Sequence, residues 1–114
     1  MGHMRHDAIV VTSWNRQAIE EAAAKARDLG LEVLGPSAEA INGISTLLVC
    51  PDGSKEFWPE SDDFDVKRAA YLEYLNGARY SDNSSCLEWV ALSYSNDHDG
   101  AAIMAHTWQV PLKK

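Results

Sequence analysis

The sequence predicts a single α+β domain: a single-layer, mainly antiparallel sheet of five to six strands with two helices packed on one face. The expected element order is β-α-β-β-β-α-β-β. Three observations carry this expectation. Two segments, around residues 16–29 and 62–76, place apolar side chains at helical spacing. Six short segments rich in β-branched, aromatic or alternating apolar residues are separated by Gly, Pro, Asn and Asp punctuation. A chain of 114 residues is long enough for one core and too short for two, so residues 1–114 read as one domain. Met1-Gly2-His3 ahead of Met4 reads as a cloning remnant.

The first strand spans 8–12, where Ala8-Ile9-Val10-Val11-Thr12 suits a central position. Ser13 or Asn15 can accept from the free amides that open the next helix. That helix carries Ile19, Ala22, Ala23, Ala26 and Leu29 on one face, and Gly30 fits the left-handed position past its end. Its alanine-rich face suggests close approach to a sheet. A short strand at 31–34 stops at Gly35-Pro36, which suggests a right-handed βαβ crossover with parallel strands. Residues 37–42 form a loop or a short helical turn. A third strand at 44–50 then runs into a hairpin turn at Pro51-Asp52-Gly53-Ser54, and 55–58 returns.

Pro59 cannot continue a sheet interior, so it ends that strand. Ser61, Asp62 or Asp63 is then expected to cap the second helix, whose inner stripe is Phe64, Arg68, Tyr71, Leu72 and Leu75. Gly77 closes it. Leu87, Trp89 and Ala91 alternate with Glu88, Val90 and Leu92 in a long strand at 87–94. Both sets are largely apolar, which points to a strand that is central or covered on both faces. Asn96-Asp97-His98-Asp99-Gly100 is a turn, and 102–110 returns. With the turn centred near 98, His106 pairs with about Val90, and Trp89 with about Thr107 or Trp108. The four tryptophans supply bulk for the core.

The chemistry of the chain concentrates at residues 51–65. Six carboxylates and one lysine there account for −5 of the net charge of −7. The spacing does not match an EF-hand loop, and one helical turn cannot converge four carboxylates on one ion. Trp58 is expected to pack under the second helix. Exposed among carboxylates, it becomes a contact for a protein partner or a cationic ligand. The acidic balance and scattered Lys and Arg argue against nucleic acid and against anionic membranes. No apolar stretch approaches the ~20 residues of a membrane helix.

Cys50 and Cys86 lack a CxxC spacing and read as two free thiols of a reducing cytoplasm, with a disulfide between them as the alternative that spacing does not decide. Asp97-His98-Asp99 invites a metal or general-base reading. His106, however, is expected over ~20 Å from His98 along the hairpin, so the two do not share an ion. Ser84-Ser85-Cys86 lacks a nucleophile elbow and a basic neighbour nearer in sequence than Arg79. No residue is assigned a catalytic or metal-binding role, and no cofactor is implied.

The run Pro51-Asp52-Gly53-Ser54-Lys55-Glu56, then Trp58, Ser61-Asp62, Asp65 and Arg68-Ala69, with Trp89-Val90 later, resembles a family of small uncharacterised phage and bacterial proteins. Those read D-G-S-K-E-G-W followed by S-D, and Phe57 stands here in place of the glycine. The resemblance implies a compact cytoplasmic protein and transfers no activity. The expected function is a non-enzymatic protein-interaction module acting through Glu56, Trp58, Glu60, Asp62, Asp63 and Asp65. Its partner is a protein, and self-association is a related reading. The alternative is a small metal-dependent or hydrolytic enzyme using the 60–65 junction or the 97–99 loop.

Overall fold

The computed structural model describes residues 5–53, 58–95 and 100–107. β1 (His6–Ser13) leads into α1 (Arg16–Asp28), followed by β2 (Val33–Leu34), a 3-10 turn (Ile41–Gly43) and β3 (Ser45–Val49). Then come α2 (Pro59–Gly77), β4 (Glu88–Ser95) and β5 (Gly100–His106). The sheet order is β2-β3-β1-β4-β5, and every adjacent pair is antiparallel. The expected α+β fold is therefore present, with five strands and two helices among the described residues. Of the returning strand expected at 55–58, residues 55–57 lie outside the described residues, and Trp58 is the N-cap of α2 rather than part of a strand.

β1 and β2 run parallel, as the βαβ reading expects, but β3 lies between them. β3 and β4 are likewise parallel with β1 between them. Each helix is thus the crossover of a split βαβ unit. Crossovers of one hand place both helices on the same side of the sheet. This is the ferredoxin-like β-α-β-β-α-β arrangement with β5 added beside β4.

Local chemistry explains the elements. The Asn15 side chain accepts from Ala18 N at 3.0 Å and caps α1. At the other end the Gly30 amide donates to Arg27 O and the Leu31 amide to Ala26 O, a double closure that needs the left-handed φ of +88° at Gly30. Gly35 is required for space as well as for φ. An added Cβ would stand 2.9 Å from Thr46 O. The second helix corrects the sequence reading. Trp58, not Ser61, Asp62 or Asp63, is its N-cap, and no side chain caps it. Pro59 is the first helical residue, where a fixed φ is helical already and the missing N–H has no partner to lose.

One face of the sheet and both helices share a single core. Ile9 and Val11 of β1, Leu47 and Val49 of β3, and Trp89 and Ala91 of β4 meet Ile19, Ala22, Ala23 and Ala26 of α1. Phe64, Tyr71 and Leu75 close it from α2. Alanines on α1 let its backbone approach the strands, and Tyr71 fills the remaining width between the helices. Its hydroxyl donates to Ala22 O at 2.9 Å, which joins the two helices directly. The tryptophans do not all serve the core: Trp89 is buried, whereas Trp14 and Trp58 are exposed.

Two outcomes test this core. Tyr71→Phe should lower stability by about 1–2 kcal/mol in chemical denaturation, because a buried hydrogen bond is lost with little change of volume. Burial, and secondarily the neighbouring Tyr74, holds the Tyr71 hydroxyl far above the usual phenol range. A folded-state pKa above the unfolded value of about 10 gives a contribution that is complete below that pH and is lost as pH rises beyond it. Alkaline unfolding followed by circular dichroism should therefore be less steep in Tyr71→Phe.

Candidate interaction surface

The acidic junction is built on the first turns of α2. The Trp58 carbonyl accepts from the amides of Ser61 at 3.0 Å and Asp62 at 3.3 Å, so the indole projects from the helix entrance. Trp58 is 47% exposed, which corrects the expectation that it packs under the helix. The helix starts three to five residues earlier than the expected cap positions Ser61, Asp62 and Asp63 suggest. That leaves the tryptophan at its rim instead of over its inner stripe.

Helical geometry divides the carboxylates. Glu60 and Asp63 are three residues apart and face the end of α1; Asp62 and Asp65 are three apart on the other flank. The first pair lines a shallow hollow of about 220 Å³ with Gly30, Asp52, Phe64 and Lys67. Lys67 Nζ lies 3.1 Å from Asp63 Oδ2 across one turn. On the second flank Arg68 Nη2 stands 3.8 Å from Asp65 Oδ1 and 3.9 Å from Asp7 Oδ2, too far for hydrogen bonds. The exposed Lys67–Asp63 pair neutralises little, whereas Arg68 and Asp7 are both largely buried. Glu60, Asp62, Asp63 and Asp65 are all exposed, and Glu60 and Asp62 sit in the first turn, where the helix dipole favours negative charge. Glu56 lies outside the described residues. Among the described residues no three His, Cys, Asp or Glu side chains gather where a metal ion could be held.

The other sequence candidates separate in space. Asp97-His98-Asp99 lies outside the described residues. His106 pairs with Val90 across the β4–β5 ladder, at the register the turn implied, and His6 pairs with Tyr94 at the far end of β4. The Trp89 amide donates to Thr107 Oγ1, whose hydroxyl donates to Trp89 O, while Trp108 is outside the described residues. In the 78–87 loop Ser84 Oγ donates to Asp82 Oδ1 at 2.6 Å, Ser85 Oγ to Leu87 O, and Cys86 Sγ to Ala78 O at 3.4 Å. Arg79 is engaged with Asn76 O and Asn83 O. These groups brace a loop instead of activating a nucleophile. Cys50 and Cys86 are both free and half-buried.

Sequence reasoning missed one region. Trp14, 65% exposed, stacks on Tyr80 with ring centroids 6.3 Å apart, and Asn15 Nδ2 donates to the Tyr80 hydroxyl at 2.9 Å. Close by in the chain, Ala18, Glu21, Tyr74, Ala78, Arg79 and Cys86 line a hollow of about 280 Å³. Burial first, then Glu21 and Cys86, raises the Tyr74 hydroxyl above its ordinary pKa. No local motif announces this region, because its residues come from segments some 60 positions apart.

Comparison of the chain with protein-family models, curated proteins and solved structures finds no match.

The 78–87 loop yields a direct test. The Ser84 hydroxyl, and then the Ser84 amide, hold the Asp82 carboxyl below its ordinary pKa. Its contribution to stability is present above the unfolded-state pKa and is lost as pH falls through the folded one. Ser84→Ala should move the Asp82 titration, read from carboxyl carbon shifts, upward toward the usual aspartate value.

Proposed function

We propose that this chain is a small protein-interaction module that uses the entrance of α2 to bind a basic segment of a partner protein. The half-exposed Trp58 carries the reading. A large aromatic at a helix rim, flanked by Glu60 and Asp62, can stack on a Lys or Arg side chain whose cationic head reaches the carboxylates. Tryptophan is over-represented among residues that dominate binding energy. The net charge of −7 steers a basic partner toward the molecule and raises its on-rate. The hollow beside Glu60 and Asp63 offers room for a second side chain of the same segment. Glu56, next to this entrance in sequence, belongs to the proposed surface. A cytoplasmic location accords with the two free thiols, and the resemblance of residues 46–75 to small phage and bacterial proteins fits the same setting.

Selection from a random peptide display library tests this directly. Enriched peptides should carry Lys or Arg next to an apolar residue. Trp58→Ala should weaken their binding by tenfold or more, the order expected for a hot spot of about 2 kcal/mol. Glu60→Gln with Asp62→Asn should slow association and flatten its salt dependence. Peptides without basic residues, or equal binding by Trp58→Ala, would sink the proposal.

A further inference from the structure

Both helices lie on one side of the sheet, and among the described residues the other side carries no helix. Register places Val10, Leu48, Val90 and Leu92 on that open side, with Leu34 and Ile103 toward its edges. The four central residues are half-buried, while Leu34 and Ile103 are 59% and 63% exposed. A sheet with one face in water normally alternates apolar with polar residues. This one does not. Within the described strands, Glu88 at one end of β4 is the only Asp, Glu, Lys or Arg on the open side. The doubly apolar alternation of β4 is a covered-strand pattern, and no described element of the chain supplies the cover.

We infer that the open face is the interface of a homodimer, two copies stacking sheet against sheet. Its chemistry selects the occupant. Among the described residues this face has no Lys or Arg to attract nucleic acid or anionic lipid. A single carboxylate offers little to a basic peptide. Charge placement favours a second copy. The acidic entrance of α2 is on the far side of the sheet, so stacked sheets hold the two acidic patches about three layers, roughly 30 Å, apart. That exceeds the Debye length of about 8–10 Å, so a net charge of −7 on each copy opposes this pairing little.

The size is adequate. Five strands about 4.8 Å apart and about 20 Å of strand length give roughly 500 Å² per copy, or about 1,000 Å² in all, near the lower bound of a specific interface. The face is also self-complementary in relief. A hollow of about 290 Å³ opens among Val10, Thr12, Val90 and His106, while Ile103 and the adjacent Met104 stand out from β5. The β4–β5 register shifts next to Ile103, which leaves Met104 unpaired in the ladder. A two-fold axis set between knob and hollow seats each copy's knob in the other's hollow.

Sedimentation equilibrium from about 1 μM to about 1 mM should show a reversible dimer with a micromolar dissociation constant, as suits an interface of this size. Ile103→Lys and Leu34→Lys alter exposed side chains and should leave the circular dichroism spectrum unchanged. Each should raise the dissociation constant tenfold or more. In a mixed sample of labelled and unlabelled chains, methyl cross-saturation should fall on Val10, Leu48, Val90 and Ile103. A monomer throughout this range overturns the inference. So does a dimer indifferent to both lysines, or cross-saturation confined to β5, which would indicate edge pairing. Trp58→Ala should dimerise like the parent chain, so failure here is distinguishable from failure of the peptide-binding proposal.

Discussion

Everything in this molecule is registered to β1. It is the middle strand, paired on one side with β3 and on the other with β4, and it fixes both alignments at once. Ile9 stands between Val49 and Ala91, and Val11 between Leu47 and Trp89. Both side chains are fully buried. A slip of one residue would turn Ile9 and Val11 to the open face and bring Ala8, Val10 and Thr12 under the helices. The cost of losing either core side chain is of the order of 2–5 kcal/mol, a large part of the stability of a domain this size. The end of the strand is tied as firmly. Ser13 Oγ donates to Cys86 O at 2.7 Å and accepts from the Asn15 amide at 2.9 Å, so β1 aims α1 and anchors the loop before β4 together.

The split crossovers that follow from this arrangement divide the surface by chemistry. α1 ends where α2 begins, so Gly30 faces Lys67 and the acidic turn of α2 gathers at one end of the helical layer. The opposite side of the sheet is left with branched aliphatics and threonines, including the cross-strand pair Thr12 and Thr46 with hydroxyl oxygens 3.2 Å apart. Among the described residues, two buried polar atoms lack partners where α2 meets the sheet. Arg68 is mostly buried beside Asp7 and Asp65, yet its Nε has no hydrogen-bond partner, and Ser93 Oγ, on the residue paired with Asp7, has none either. Unsatisfied buried polar atoms weaken this corner of the α2–sheet contact.

Elements governed by neighbours in sequence were legible. Asn15 as a cap, Gly30 as a left-handed stop, the apolar face of α1 and the pairing of His106 with Val90 depend on geometry within a turn or a hairpin. Pro59 was legible only as punctuation. A proline serves equally as the end of a strand or the first residue of a helix, and the choice decides where Trp58 goes. The exposed Trp14–Tyr80 stack and the hollow near Cys86 had no local signal, since each joins residues from distant segments. The candidate surface was half-readable: its charge was countable, whereas the exposure of its tryptophan was not.

By itself, the sequence determined composition, charge, the two helices, the strand-rich segments and the concentration of carboxylates near residue 60. Periodicity and turn chemistry act over a few residues and need no partner to be read. Only the tertiary structure decided that β3 inserts between β1 and β2, and that Trp58 stands clear of the core while an apolar face lies open. Those outcomes come from long-range pairing. The buried face of each strand must meet residues tens of positions away, and local pattern cannot rank the competing partners.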